Sequence, residues 1–303
     1  MNGVPERRPT LATWVDRRFF PLMTLPTLVA LGGLIVFPLL YTLWLSVHEW
    51  VVTSDRPPAF AGLANYARLF QDANLWAAVW RTLVFVGVGL ALQIPLGLGI
   101  ALALQRRFVG RGLARTLLLL PMMATPAAVA LIWAMMMEPT LGILNHLLMW
   151  AGLPAFSWIS DPSTVLLSLI MVDTWQWSPL IALFCLAGLA VIPDEPYEAA
   201  RIDGASGWQE LRYVTLPYLR PIIVVAAMFR AIDSLKTFDM IYVMTQGGPG
   251  RASETINMFA FTQGFHYFNM GYASAVLVLF LVMMLVVSLA LISVRERRSS
   301  LAS

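Results

Sequence analysis

The chain contains six long apolar stretches with few charged residues, and this feature restricts its fold more than any other. A helix needs about 20 apolar residues to cross a hydrocarbon core of about 30 Å. Stretches of suitable length predict spans at about residues 22–47, 82–104, 116–137, 164–192, 221–245 and 271–294. The predicted fold is therefore all-α, a polytopic membrane protein with six transmembrane helices.

Composition and charge exclude several other classes of protein. Of the 303 residues, 59% are hydrophobic and 12% are charged, whereas about 25% are charged in an ordinary soluble domain. A net charge of only +3 predicts no nucleic-acid partner. The single cysteine, Cys185, leaves no intramolecular disulfide or cysteine pair. The first apolar stretch exceeds a signal-peptide core and has no obvious cleavage site after it, so we expect it to be a retained span.

Basic side chains are distributed unevenly between alternate loops. Fourteen of the twenty Lys and Arg residues fall in the predicted N-terminal tail (1–21), after the second span, in the segment 193–220 or in the predicted C-terminal tail (295–303), whereas four fall in the intervening loops. Cytoplasmic loops of membrane proteins carry the excess of Lys and Arg. Both termini and the segment 193–220 are therefore predicted to be cytoplasmic.

The segment 193–220 differs in composition from the other basic segments, because it carries five carboxylates beside three arginines. Pro196 is predicted to stand at the start of a short helix behind an acidic cap, and Gly204 is predicted to end that helix in the left-handed conformation. Ser206 and Gln209 form a capping-box pattern that should open a second helix. The segment is thus predicted to present two short helices to a partner.

Two further features of this segment bear on its function. Pro217 should prevent the second helix from continuing smoothly into the fifth span. Ala199 and Ala200 are small, so the backbone of another protein could approach the first helix closely. Both features favour a surface that contacts a second protein.

The segment 193–220 resembles a known signature. The segment contains Glu198-Ala199-Ala200, then Gly204 after three residues, Val214 after nine more and Leu216-Pro217 after one more. This pattern is similar to the EAA signature of permease subunits of binding-protein-dependent ABC importers. Three further stretches resemble the maltose-type carbohydrate branch, and the resemblance covers nearly the whole chain. These are Gly62-Leu63-Ala64-Asn65-Tyr66, Trp175-Gln176-Trp177, and Phe238-Asp239-Met240-Ile241-Tyr242 leading to Gly247-Gly248-Pro249.

The resemblance implies a type I ABC importer permease fold, in which the segment 193–220, here called the EAA loop, couples to a cytoplasmic ATPase. Its implied partners are a second homologous permease subunit, two copies of an ABC ATPase subunit, an extracytoplasmic solute-binding protein and the lipid bilayer of a bacterial or archaeal cytoplasmic (inner) membrane. The residues expected to contact the ATPase are Glu198, Ala199, Ala200, Asp203, Gly204, Leu216 and Pro217.

No cofactor is expected on this chain. ATP and magnesium are expected to be used by the partner ATPase, because the only lysine, Lys236, stands outside any phosphate-binding loop motif. The chain itself is therefore predicted to be a transport subunit rather than an enzyme.

Charged side chains interrupt the fourth and fifth spans. Because an ionisable group in hydrocarbon costs about 2.5–3.5 kcal/mol on insertion scales, these groups should face a cavity or one another. One interpretation is that Arg230, Asp233, Lys236 and Asp239 neutralise one another along the helix at their spacing of three. The other is that some line a solute path, where aromatic rings stack on sugars and charged groups bind hydroxyls.

The resemblance favours the second interpretation for particular residues. It places Thr174 and Trp177 of the fourth span, and Arg230, Asp233 and Thr237 of the fifth, at ligand-facing positions, although the second permease chain could form most of the site. The complete predicted substrate path consists of Asp173, Thr174, Trp175, Trp177, Arg230, Asp233 and Thr237. The solute is expected to be a sugar or a related polyol, and a glycerol-phosphate-type solute stays open.

Two other functional classes are alternatives to a permease subunit. An autonomous secondary carrier or channel would use the intramembrane charges as an ion or proton relay. A membrane-embedded enzyme is disfavoured because the sequence shows no nucleophile elbow. His48, His146 and His266 are scattered without a second ligand at helical spacing, which predicts no metal site.

Overall fold

A computed structural model of the chain describes residues 23–106 and 108–299. A two-stranded antiparallel sheet, β1 (His48–Glu49) and β2 (Ala59–Phe60), follows the first helix, with His48 paired to Phe60. The helices in chain order are α1 (Met23–Ser46), α2 (Ala64–Gln71), α3 (Ala73–Gln105), α4 (Arg111–Met123), α5 (Pro126–Met136), α6 (Ile143–Trp150), α7 (Val165–Leu189), α8 (Glu195–Ile202), α9 (Gly207–Leu235), α10 (Asp239–Thr245), α11 (Ile256–Phe261) and α12 (Met270–Ser299).

Five of the described helices are long and apolar enough to cross a membrane, and the pair α4 and α5 makes a sixth if it is counted as one span. The long helices are α1, α3, α7, α9 and α12. The all-α, multi-span prediction is confirmed by this arrangement. The predicted N-terminal tail, residues 1–21, lies outside the described residues, and α12 continues beyond the predicted boundary at residue 294 to Ser299.

The second span begins earlier than the sequence pattern indicated. Helix α3 starts at Ala73 rather than near Thr82, because Asp72 caps it by accepting hydrogen bonds from the backbone N–H groups of Asn74 and Leu75 at 3.0 and 3.3 Å. The stretch between the first two predicted spans, residues 48–81, therefore includes the first turns of this helix as well as α2.

The third predicted span, 116–137, is broken. Helices α4 and α5 meet at an angle of 97°. Ala124 and Thr125 between them have extended backbones, and Pro126 occupies the first turn of α5. The residue before a proline disfavours the helical conformation, and a proline in the first turn needs no hydrogen-bond donor. One continuous helix was therefore the wrong expectation for this stretch.

The fifth predicted span also differs from the structure at both ends. Helix α9 runs from Gly207 through Pro217 to Leu235, so the second helix does continue into the fifth span, although not smoothly as a regular α-helix. A π turn over Glu210–Thr215 immediately precedes this proline, and its shifted hydrogen bonding accommodates a residue without an N–H group. After Leu235 the chain bends, and α10 follows as a separate helix.

Helix α7 lies at the centre of the molecule. In its most apolar window 61% of the residues are buried, against 6% in α1. Its neighbours approach closely at two glycines. A Cβ atom on Gly97 of α3 would lie 2.6 Å from the Cβ of Ile181 in α7, and one on Gly188 of α7 would lie 2.5 Å from the Cδ1 of Ile222 in α9. Small residues permit such close crossings of membrane helices, so α3, α7 and α9 form a tight three-helix group.

Candidate functional site

The EAA loop folds back on itself as two helical arms. Helix α8 ends at Ile202 with Asp203 as its C-cap, and Gly204 has the positive φ of 76° that reverses the chain. Ser206 and Gln209 form the predicted capping box, in which the backbone N–H of Ser206 donates to Gln209 Oε1 at 2.7 Å. The predicted turn at Gly204 and the predicted capping box are both confirmed.

Two side-chain contacts brace the arms of the EAA loop against each other. The hydroxyls of Tyr197 and Thr215 lie 3.0 Å apart, and the Nε of Arg201 donates to Glu210 Oε1 at 3.2 Å. The loop therefore has a defined shape before any partner is bound.

The outward surface of the EAA loop combines the predicted contact residues with apolar side chains. Glu198, Ala199, Asp203, Gly204 and Pro217 are exposed, while Ala200 and Leu216 are half-buried. Large apolar groups stand beside them, with Ile202 87% exposed, Trp208 67% and Tyr213 69%. Aromatic and apolar side chains of this kind are typical of protein interfaces.

A buried charge cluster lies about 21 Å along α9 from Leu216, at 1.5 Å per residue. Arg230 of α9 is fully buried. Its guanidinium donates to Asp173 of α7, to Gln93 Oε1 of α3 at 2.9 Å, and to Asp233 Oδ2 at 2.8 Å. Gln93 also donates to Asp173 Oδ2 at 2.8 Å. Three helices are therefore joined by one polar network.

The charge cluster borders an open pocket of about 140 Å³. The side chains around this pocket are carboxylates, one ammonium, a hydroxyl and aromatic rings, which can accept and donate hydrogen bonds and stack on an apolar ring face. The Cζ of Arg230 lies 5.2 Å from the ring centroid of Trp177, in cation–π range. The lining residues are Pro126, Asp173, Gln176, Trp177, Asp233, Lys236, Thr237, Phe238, Asp239 and Met240.

The structure gathers most, but not all, of the predicted path residues. Asp173, Trp177, Asp233 and Thr237 line the pocket, and Arg230 lies behind it. The two remaining side chains are elsewhere on α7. Thr174 is buried, with no hydrogen-bond partner for its hydroxyl among the described residues. Trp175 packs edge-on against Trp133 of α5, with their ring centroids 5.4 Å apart.

Each interpretation of the charges in the fifth span holds for part of that span. Arg230 and Asp233 form an ion pair along α9 as the spacing of three suggested. The pattern does not continue through Lys236 and Asp239, because α9 ends at Leu235 and Asp239 begins α10. In the part of the chain that the structure describes, neither side chain forms an ion pair within 4.0 Å.

Sequence reasoning missed Gln93. It is an uncharged polar residue inside an apolar span, and such residues are uncommon enough in a membrane helix to have served as a signal. Gln176 and Phe238, which also line the pocket, lie next to residues that were predicted. Among residues 23–106 and 108–299, no group of three or more His, Cys, Asp or Glu side chains could hold a metal ion.

Comparisons with known proteins agree with the EAA signature. Residues 93–299 match the family described as binding-protein-dependent transport system inner membrane component. A probable ABC transporter permease protein, y4oQ of Sinorhizobium fredii, is 37% identical over 270 residues, which cover 89% of this chain and 87% of the relative. The trehalose/maltose transport system permease protein MalF of Thermococcus litoralis is 36% identical over 250 residues, which cover 82% of this chain and 83% of the relative.

A solved structure shares the fold. It is that of a bacterial alginate ABC transporter in complex with an alginate pentasaccharide-bound periplasmic protein, and one of its chains matches with a TM-score of 0.79 at 23% identity, over 93% of this chain and 95% of that one. The predicted ABC importer permease fold and the predicted family are confirmed. The chain belongs to the inner-membrane components of binding-protein-dependent transport systems, the multi-pass permease subunits of ABC importers.

Proposed function

We propose that this permease translocates a sugar or a related polyol delivered by an extracytoplasmic binding protein. The observation that carries the proposal is the continuity of α9, which holds part of the EAA loop at one end and, toward the other, the pocket residue Asp233 and its ion-pair partner Arg230. The pocket offers carboxylates, an ammonium group and the ring of Trp177, which suit a hydroxyl-rich ring. The Thermococcus litoralis relative is named for trehalose and maltose transport, which supports the same class of solute.

The orientation we propose places the EAA loop and both termini in the cytoplasm. Fourteen of the twenty Lys and Arg residues lie in the segments of that side, three of them in the EAA loop, and this bias supports the orientation. Helix α7 spans about 36 Å between α6 and the EAA loop at 1.5 Å per residue. Helix α6 would therefore lie at the extracytoplasmic end of the molecule.

The assembly we propose contains this chain, a second homologous permease subunit, two copies of an ABC ATPase subunit and the binding protein. The EAA loop would dock on the ATPase through Glu198, Ala199, Ala200, Asp203, Gly204, Leu216 and Pro217. ATP and magnesium would be bound by that partner and not by this chain.

The mechanism we propose uses α9 as a lever. Closure of the two ATPase subunits would move the EAA loop, and the braced arms would transmit that movement to α9 as a unit. Arg230 would then shift relative to Asp173 and Gln93, which lie on different helices. Such a shift would open the pocket to opposite sides of the membrane in turn, without covalent chemistry on the solute.

Mass spectrometry of the proteins that co-purify with the tagged, mildly solubilised chain tests the proposed assembly. We expect a second multi-span permease and an ATPase carrying a phosphate-binding loop to be recovered. A variant with Gly204→Val serves as an internal comparison, because it should weaken recovery of the ATPase more than that of the second permease. A stable complex that contains no ATPase would overturn the proposal and favour an autonomous carrier that uses the buried charges as a relay.

A further inference from the structure

All three nitrogens of the Arg230 guanidinium are hydrogen-bonded within the protein. Each nitrogen donates to a different side chain, namely Gln93, Asp173 and Asp233. Arg230 is fully buried, and Asp173 is only 1% exposed. Releasing this guanidinium would leave Asp173 buried without its cation, and breaking a buried ion pair in this way is strongly unfavourable. Arg230 is therefore a poor partner for an anionic solute.

The charged groups at the pocket itself are predominantly acidic. Asp173, Asp233 and Asp239 line it together with a single cation, Lys236. Asp233 is the accessible carboxylate of the cluster, since its side chain is 54% exposed while it holds Arg230. With Arg230 included, three carboxylates face two cations, so the five side chains carry a net charge of −1.

We propose that the pocket selects against anionic solutes and takes uncharged, hydroxyl-rich ones. The inference rests on the proposed function, because that function assigns the pocket to the solute path. Carboxylate oxygens accept hydrogen bonds from hydroxyl groups without needing a counter-charge. A carboxylated or phosphorylated sugar near Lys236 would also face Asp233 and Asp239, and juxtaposed like charges are unfavourable. The proposed solute is thus an uncharged sugar or polyol, and glycerol phosphates are excluded.

Charge-selective labelling of a cysteine at Thr237 tests this selectivity without knowledge of the natural solute. Thr237 lines the pocket, and the buried Cys185 is removed by Cys185→Ala so that Thr237→Cys carries the only thiol of this chain, whose labelling is read by mass spectrometry of the chain itself. The full-length chain, purified with its partner subunits, is treated with a trimethylammonium or a sulfonate methanethiosulfonate reagent of similar size. Each rate is divided by the rate of the same reagent with a small free thiol.

We expect the normalised rate of the cationic reagent to exceed that of the anionic one by at least about tenfold, because the two reagents differ by two units of charge within a few ångströms of a site with a net charge of −1. Asp233→Asn should lower this ratio and Lys236→Gln should raise it. Asp55→Asn removes the same charge from an exposed loop and should leave the ratio unchanged. A ratio at or below one, a ratio insensitive to Asp233→Asn, or no reaction with either reagent would overturn the inference.

The labelling result is separable from the test of the proposed function. If no ATPase co-purifies, the importer assembly is wrong whatever the labelling ratio. If the ATPase is recovered and the ratio is at or below one, the importer assembly stands and the selectivity for neutral solutes is wrong.

Discussion

The EAA loop and the buried charge cluster both contain arginine–carboxylate pairs, but the two regions place them in opposite environments. In the EAA loop, the side chain of Arg201 is 67% exposed where it meets Glu210. In the cluster, the side chain of Arg230 is fully buried where it meets Asp173. An exposed pair contributes about 0–1 kcal/mol, whereas breaking a buried pair costs about 3–5 kcal/mol. The loop is thus shaped mainly by backbone features and the cluster by its charges.

The largest effect should come from removing the cation of the cluster. We expect Arg230→Met to lower the amount of folded chain in the membrane sharply, because a buried Asp173 without its partner costs about 3–5 kcal/mol. Size-exclusion chromatography of the solubilised chain measures this loss. Arg56→Met, at an exposed position, is the matched control. Partial recovery in the double variant with Asp173→Leu would show that the uncompensated charge is the cause, and equal behaviour of the two single variants would contradict the comparison.

The EAA loop, unlike the charge cluster, should be disrupted by a substitution that changes its backbone conformation. A side chain at Gly204 would meet no atom within 4 Å, but its φ of 76° is strained for any residue with a Cβ atom. We expect Gly204→Val to cost about 1–3 kcal/mol locally and to abolish binding-protein-stimulated ATP hydrolysis by the assembled transporter. Gly204→Asn should retain most of that activity, since asparagine tolerates the left-handed region. Full activity of the valine variant would argue against a fixed loop.

A smaller effect is expected when the polar bridge from α3 is removed. Gln93→Leu leaves one donor of Arg230 and one acceptor position of Asp173 unpaired, at a cost of about 1–3 kcal/mol. The chain should still assemble, and its rate of solute uptake into proteoliposomes should fall. Gln71→Leu, at an exposed position, is the control and should transport normally. Unchanged uptake by the Gln93 variant would mean that the cluster does not need its third helix.

The smallest effect should come from the cap in the loop. Ser206→Ala removes the side chain of the capping box and should destabilise the start of α9 by about 1 kcal/mol. Amide hydrogen exchange over residues 206–210 should become faster, while exchange near Arg230 stays the same. Ser206→Thr keeps the hydroxyl and should exchange like the unmodified chain. Equal protection in the alanine variant would show that the partner arm, rather than the cap, holds the loop.

How much could be predicted from the sequence also differs between these two regions. The turn at Gly204 and the capping box depend on residues within a few positions of each other, so local rules are sufficient. The cluster depends on Gln93, which lies 137 residues before Arg230 in the chain. Tertiary packing brings the two together, and no local pattern indicates the pairing.

The incorrect expectations about spans also have physical causes. The break before Pro126 was indicated by the proline itself, but the apolar composition on both sides concealed it. Pro217 had the opposite outcome, because the π turn before it let α9 continue. A proline therefore accompanies a break at the first of these positions and lies within a continuous helix at the second. Whether a helix breaks at Pro126 or at Pro217 was harder to predict than the number of apolar stretches.

Photo-crosslinking from α8 and from α6, the helices that follow and precede α7, tests the central claim, that the EAA loop is the ATPase-docking surface, most directly. A benzophenone amino acid is placed at Ile202 in the loop, which is 87% exposed, or at Trp150 of α6, which is 89% exposed. The account predicts an adduct with the ATPase subunit from position 202 and none from position 150. An ATPase adduct from position 150, or none from position 202 in an assembly that hydrolyses ATP, would contradict it.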